Sequence, residues 1–557
     1  MADERPVDGI RTVRTGGYGG RVQSVRRAAR RPLPTRRASG GAAPGTARGP
    51  RSRAAVALVA MLAAVVLVVT GCTAPKHQAG TTPPPADVDS APSAELEPFY
   101  SQVLAWETCD ESECARLEVP LDYAEPGAQT IRIEVERRRA TDGDPLGSLL
   151  LNPGGPGGSG IDFLESATEQ VSDEVQERYD LVAFDPRGVQ YSDPDVTCLT
   201  APKMDDLLAY DPDNSTPEGI QRSTDLYADF SAACLEHTGP LLGHVDTVSA
   251  ARDMDVLRAA LGDTHLSYLG FSYGTQLGAT YAGLFPERVG RLVLDGAVDP
   301  TLTTEESTLA QAVGFESALR AYVTDCQGGS RCPLTGDVDH GMSQVRDLLD
   351  RATANPLPTG TDRPLTGTLA FSGIAVTLYS QDYWTYLTSA LTAAIEEDDG
   401  SILLVLADAY YGREENGTYS SNQTEAFWSI GCADSRASAD PDDMAAEAER
   451  IVAAAPTVGS YFTYGGLICA EWPVPLVGGL DDYSAPGAAP ILVVGTTNDP
   501  ATPYAQAEAL AKILSSGTLL TYEGEGHTAY GSSNDCVTEN VDAYLLEGTV
   551  PAEGTTC

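Results

Sequence analysis

From about residue 99 onward, short apolar runs alternate with stretches whose apolar positions recur every three or four residues. Residues 130–136 alternate apolar and polar, the two-residue period of a strand. Residues 147–151 and 179–184 are brief apolar runs, each entering a turn rich in glycine or proline. In 248–261, Val248, Met254, Leu257 and Leu261 mark one helical face. A strand at 265–269, a helix at 275–285 and a strand at 291–294 follow, and the rhythm resumes with a strand at 491–494, a helix at 505–515 and a strand at 517–522. This alternation predicts an α/β fold, a mainly parallel sheet with helices on both faces. Between 300 and 485 it gives way to helical stretches with Pro/Gly-rich joins, the pattern of a mostly helical cap inserted between two sheet strands. Residues 196–246 form a smaller excursion. The expected organisation is core 98–299, cap 300–485 and core 486–557.

The N-terminal part reads differently. Residues 1–53 are rich in Arg, Gly and Pro and show no hydrophobic period, and residues 54–70 are the chain's one long apolar run. That run ends in Val69-Thr70-Gly71-Cys72. A basic flank, an apolar stretch and small residues before a Cys predict an export signal over 1–72, with Cys72 lipid-modified as the new N-terminus. An uncleaved anchor is the alternative. Either way, residues 73–557 lie outside the cytoplasm, and the only membrane contact expected is through this anchor. Residues 73–97, rich in Thr, Pro and Ala, read as a disordered tether.

Charge and cysteine content agree with an exported body. Residues 1–72 hold 13 Lys and Arg against 3 Asp and Glu, leaving 23 basic and 76 acidic residues in the rest, a net of −53. Such a body repels nucleic acid and anionic lipid. Beyond Cys72 there are ten cysteines, enough for five disulfides in an oxidising compartment. Sequence does not fix their connectivity; pairing neighbours gives Cys109–Cys114, Cys198–Cys234, Cys326–Cys332, Cys432–Cys469 and Cys536–Cys557. No Cys-x-x-Cys pair or His cluster suggests a metal site.

Four places carry candidate chemistry. Gly270-Phe271-Ser272-Tyr273-Gly274 follows a strand and opens a helix, the setting of a nucleophile elbow. A Ser hydroxyl needs a neighbouring base. Of the six histidines only His340 and His527 follow Ser272, as the order Ser, acid, His requires. His340 sits in a charged helical stretch of the cap; His527 sits in a glycine-flanked turn, Gly524-Glu525-Gly526-His527, and is the expected base. The acid that orients the imidazole is Asp499, after the strand 491–494, with Asp295 after the strand 291–294 as its rival. The loop Asn152-Pro153-Gly154-Gly155-Pro156-Gly157-Gly158-Ser159-Gly160 offers bare backbone N–H groups to an oxyanion, with Gly155 and Tyr273 as expected donors. It matches no nucleotide-binding fingerprint and has no following Lys.

Together these residues resemble the exported α/β-hydrolase peptidases of the prolyl aminopeptidase and tripeptidyl aminopeptidase type. The resemblance covers about residues 98–557. It rests on the loop at 153–157, Asp185-Pro186-Arg187-Gly188, the Ser272 motif, Asn498-Asp499-Pro500-Ala501-Thr502-Pro503 and Gly526-His527. It extends to Ile430-Gly431-Cys432-Ala433-Asp434 and Cys469-Ala470-Glu471-Trp472-Pro473. It implies a Ser272–Asp499–His527 triad and release of short peptides (tripeptides) from a free N-terminus; the mechanism expected of these residues runs through an acyl-enzyme without a cofactor, and a monomer is expected. Two positions depart from the pattern. Asn152-Pro153 stands where cytoplasmic members have His, and Gln190 stands where related chains often have Gly. An aminopeptidase must also hold the substrate's α-ammonium, for which Asp434, Glu425 and Glu471 of the cap are the candidates. The same triad serves a carboxylesterase, a lipase or an acyltransferase. A non-catalytic ligand-binding lipoprotein is the reading from another class.

Overall fold

The computed structural model describes residues 91–557; the expected export signal, Cys72 and the tether as far as residue 90 lie outside the described residues. Nine strands build one sheet: β1 Glu107–Cys109, β2 Ser112–Pro120, β3 Thr130–Arg138, β4 Ser148–Asn152, β5 Asp180–Phe184, β6 Leu266–Phe271, β7 Val289–Asp295, β8 Ile491–Asn498 and β9 Gly517–Glu525. Their order is β1-β2-β3-β5-β4-β6-β7-β8-β9. The pairings from β5 through β9 are parallel, while β1, β2 and β3 form an antiparallel edge that joins β5. The chain thus has the α/β-hydrolase fold, and the predicted strands coincide with observed ones to within a few residues.

Strand burial explains the sequence pattern. Every residue of β4 and β5 is buried, so both read as continuous apolar runs rather than alternations. Successive side chains still feed opposite faces. Leu149 and Leu151 pack with Phe163, Leu164 and Tyr530 on one face. Leu150 packs with Met254, Leu257 and Leu277 on the other.

The 300–485 stretch does not behave as one block. Helices Thr304–Gly328, Val338–Ala354, Gly367–Leu378, Trp384–Glu396 and Ser401–Tyr411 share an apolar core of their own with part of Pro441–Ala454. The helix Gln423–Asp434, with Trp472, instead joins the main core beside Phe230 and Cys234 of the 196–246 excursion. Polar bonds reinforce that seam. Asn422 Nδ2 donates to the carbonyls of Gly188 and Val196, and Arg413 forks onto Asp205 at 2.6 and 2.8 Å. Gln190 takes a left-handed φ of 39° and exchanges bonds with Asn422, its own N–H donating to Asn422 Oδ1 and its Oε1 accepting from the Asn422 N–H. This departure from the family pattern therefore lies at a seam between core and cap.

The ten cysteines form the five neighbour pairs, the mark of an exported protein. Among the described residues no helix is long and apolar enough to cross a membrane.

Candidate active site

Ser272 sits between β6 and the helix Tyr273–Leu284, with φ 56° and ψ −125°. A non-glycine residue in that region costs about 1–3 kcal/mol and persists only where its surroundings enforce it. Here the Ser272 N–H donates to the Asp295 carbonyl at 2.8 Å, and Thr275 returns its N–H and hydroxyl to the Ser272 carbonyl at 2.8 and 2.6 Å. Gly274 leaves room for the neighbouring strand end, since a Cβ there would stand 2.8 Å from Asn152 Oδ1. Ser272 is 5% exposed.

The glycine-rich loop lies directly over this elbow. A Cβ on Gly154, whose φ is +95°, would fall 2.9 Å from Ser272 Cβ and 3.1 Å from Tyr273 N. Only glycine permits that approach. The Gly155 N–H follows Gly154, and the Tyr273 N–H, first in its helix, has no acceptor within that helix. The expected oxyanion donors thus come from two elements that touch. Asn152 Oδ1 accepts from Gly154 N, and Gly158 N donates to the Gly154 carbonyl. At the loop's far end the buried Asp185 accepts from Ser159 Oγ (2.8 Å), Ile161 N (3.2 Å) and Tyr191 N (3.0 Å). Burial pushes the Asp185 carboxyl up to about 7, against those donors. Arg187 of the same motif forks onto Asp253 at 2.7 Å twice and caps the carbonyls of Pro120, Leu121 and His244. That motif braces the loop and the core.

His527 follows β9 and is 7% exposed. Its Nδ1 lies 2.8 and 2.9 Å from the two oxygens of Asp499. Asp499, after β8, also accepts from Ala501 N and Thr502 N at 2.9 Å each and from Thr502 Oγ1 at 3.1 Å. This leaves Nε2 as the imidazole nitrogen away from the acid. Asp295 does not reach the ring; its carboxylate accepts from Ala529 N and Tyr530 N. The cap also meets this turn. The His527 N–H donates to the Tyr379 carbonyl at 2.9 Å, and the Tyr379 ring stands edge-on to the imidazole at 5.2 Å.

A cavity of about 550 Å³ opens beside His527, walled by Pro153, Phe271, Tyr379, Tyr383 and Tyr522. Ser272 is not part of its wall. Glu169, Asp382, Glu525 and Asp535 line it, and among the described residues no Lys or Arg does. Glu525 is half-buried, which raises its carboxyl against the hydrogen bond donated by Asn498 Nδ2.

The three carboxylates expected for an α-ammonium are not brought together, and none lies on this wall. Asp434 accepts from the N–H and hydroxyl of Thr247, whose hydroxyl also meets the Tyr273 phenol, and burial pushes it up to about 7. Glu425 accepts from Cys198 N and Leu199 N and faces a separate cavity of about 200 Å³. Glu471 is exposed on the surface. Amide and hydroxyl donors take up the first two. Sequence reasoning passed over Glu525, although it stands two residues before His527; nothing in the sequence separated it from the other acids.

The family described as TAP-like protein matches residues 455–557. Serine protease Hip1 of Mycobacterium tuberculosis is 37% identical over 520 residues, 89% of this chain and 96% of that protein. Carboxylesterase B of the same organism is 36% identical over 494 residues, 85% of this chain and 94% of that protein. Tripeptidyl aminopeptidase of Streptomyces lividans is 31% identical over 476 residues, 82% of this chain and 86% of that protein. Among solved structures, the α/β hydrolase MGS-M2 from a deep-sea metagenome library covers 76% of this chain and 96% of its own, at 11% identity and a TM-score of 0.35.

Proposed function

The chain belongs to the TAP-like family of α/β-hydrolase peptidases, and on that premise we propose that it releases short peptides, tripeptides first, from the free N-termini of exported or extracellular substrates. The Ser272 hydroxyl attacks the scissile carbonyl while His527 Nε2 takes its proton. Asp499 holds the imidazole in the tautomer that leaves Nε2 as acceptor and stabilises the imidazolium that forms. The Gly155 and Tyr273 N–H groups receive the oxyanion. His527 then protonates the leaving amine, and water, activated by the same imidazole, releases the acyl group from Ser272. The observation that carries this reading is His527 Nδ1 shared between the two oxygens of Asp499, next to Gly296, whose neighbour Asp295 holds the strained Ser272 elbow.

Recognition of the free N-terminus falls to the cavity carboxylates, with Glu525 foremost. A half-buried carboxylate whose proton affinity is raised by burial gains most from a cation at hydrogen-bond distance. The Cys72 lipid anchor completes the proposal by holding the enzyme on the outer face of the membrane.

The test is intact-protein mass analysis after a fluorophosphonate, together with product analysis on an unblocked oligopeptide. One adduct on the wild type, none on Ser272→Ala, and tripeptide products support the reading. A Ser272→Ala protein with normal turnover overturns it. A second reading, carboxylesterase, is favoured by the relative of that name; hydrolysis of short-chain esters without any amide cleavage would select it.

A further inference from the structure

Asp295 stands between the two halves of the proposed triad and belongs to neither. Its main-chain carbonyl accepts the Ser272 N–H at 2.8 Å. Its carboxylate accepts the N–H of Ala529 at 3.1 and 3.0 Å and that of Tyr530 at 2.8 Å, the second and third residues after His527. It is 0% exposed. The next residue continues the contact, since a Cβ on Gly296 would lie 3.2 Å from His527 Cε1 and 2.9 Å from Thr528 Cγ2.

Two facts separate this residue from an ordinary buried acid. First, the bonds its carboxylate receives come from backbone amides of one turn, the turn that carries the base. Burying a carboxylate against amides alone is costly, and burial pushes this one up to about 6. Second, one residue touches both sides of the site, the Ser272 backbone through its carbonyl and the turn two and three residues after His527 through its side chain. Asp295 thus links the Ser272 elbow, through its carbonyl, to the turn after His527, through its carboxylate, whereas Asp499 bonds the imidazole itself.

We propose that Asp295 is a positioning residue that holds the His527 turn in register with the Ser272 elbow. The proposal rests on the triad reading above. It predicts a defect in chemistry, not in binding: a shift of about 1 Å between reacting groups costs about 10²-fold in rate.

The experiment uses the whole protein and the variants Asp295→Asn, His527→Ala and their combination. Read-outs are kcat and KM on an unblocked tripeptide amide and on a short-chain ester, the rate and end-point of fluorophosphonate labelling, and Tm. The expected result for Asp295→Asn is a kcat lower by about 10–100-fold on both substrates, KM within about two-fold, and labelling slowed by the same factor to an unchanged end-point. In the His527→Ala background the same substitution should cost almost nothing further, since there is no base left to position. An unchanged kcat overturns the proposal. So does a full additional loss in the His527→Ala background, while a lower labelling end-point marks unfolding and moves the test to the second variant. If Asp295→Asn does not fold, Asp295→Glu, which keeps the charge but displaces it by one methylene, takes its place with the same expectations. A His527→Ala protein with normal turnover would instead sink the triad reading itself, so the two failures are distinct.

Discussion

The C-terminal edge of the sheet and the cavity beside it handle carboxylates in opposite ways. At the edge, Asp185, Asp295 and Asp499 are almost fully buried, and each accepts several hydrogen bonds from amides, hydroxyls or the imidazole. In the cavity, Glu169, Asp382 and Asp535 are exposed and Glu525 is half-buried. Acids saturated by the protein position catalytic groups and have no capacity for a ligand. Acids on an open cavity wall are the proposed ligands for a cation. On the proposed function, chemistry and recognition reside in different carboxylates, and substitutions should divide the same way, between kcat and KM.

The largest effect should come from Ser272→Ala, with amide and ester turnover falling together by about 10⁴-fold or more and KM little changed, checked by steady-state kinetics on both substrates. Asp499→Asn should follow, at about 10³–10⁴-fold in kcat, because an amide cannot hold the required tautomer; comparable activity would mean that another group orients His527. Glu525→Gln should act on the other side of the divide. KM for an unblocked peptide should rise about tenfold while ester kcat stays within about two-fold, and an effect on kcat alone would erase the distinction.

The smallest effect is on stability. The Asp434 carboxyl is raised above its unfolded value, so the folded state holds its proton more tightly than the unfolded chain does. The stability this contributes is present below the unfolded pKa and is lost as pH rises through the interval up to about 7. Asp434→Asn removes that loss. Relative to wild type the variant should therefore melt a few degrees higher at pH 8 than at pH 5, measured by paired thermal scans; a gap that shrinks with pH would contradict the assignment.

The same division governs what the sequence reveals. Ser272 and His527 stand out as candidates in the sequence because the elbow needs glycines on either side of a strand-to-helix turn, and few histidines follow it. The choice between Asp499 and Asp295 was not decisive, since both follow a sheet strand. Only the third dimension shows that one meets Nδ1 and the other meets the amides beyond it. The core strands were legible because full burial leaves continuous apolar runs. The cap's helices were legible, but not that Gln423–Asp434 leaves the cap's own core to pack against the main one. The cavity was not legible at all. Its wall draws on residues 163–170, 376–383 and 522–538, which no local pattern links. Acids near the Cys432–Cys469 bridge, Asp434 first, were the expected partners of the α-ammonium, but Thr247, Cys198 and Leu199 hold Asp434 and Glu425.

The most direct measurement is the ratio of kcat/KM for one chromogenic tripeptide amide with its N-terminus free and then acetylated, in wild type and in Glu525→Gln, with a short-chain ester as the control. Separate carboxylates for chemistry and recognition predict a ratio well above one in the wild type, collapsing about tenfold toward one in the variant, with ester turnover unchanged. A ratio near one in the wild type, or a ratio preserved in the variant, would contradict it.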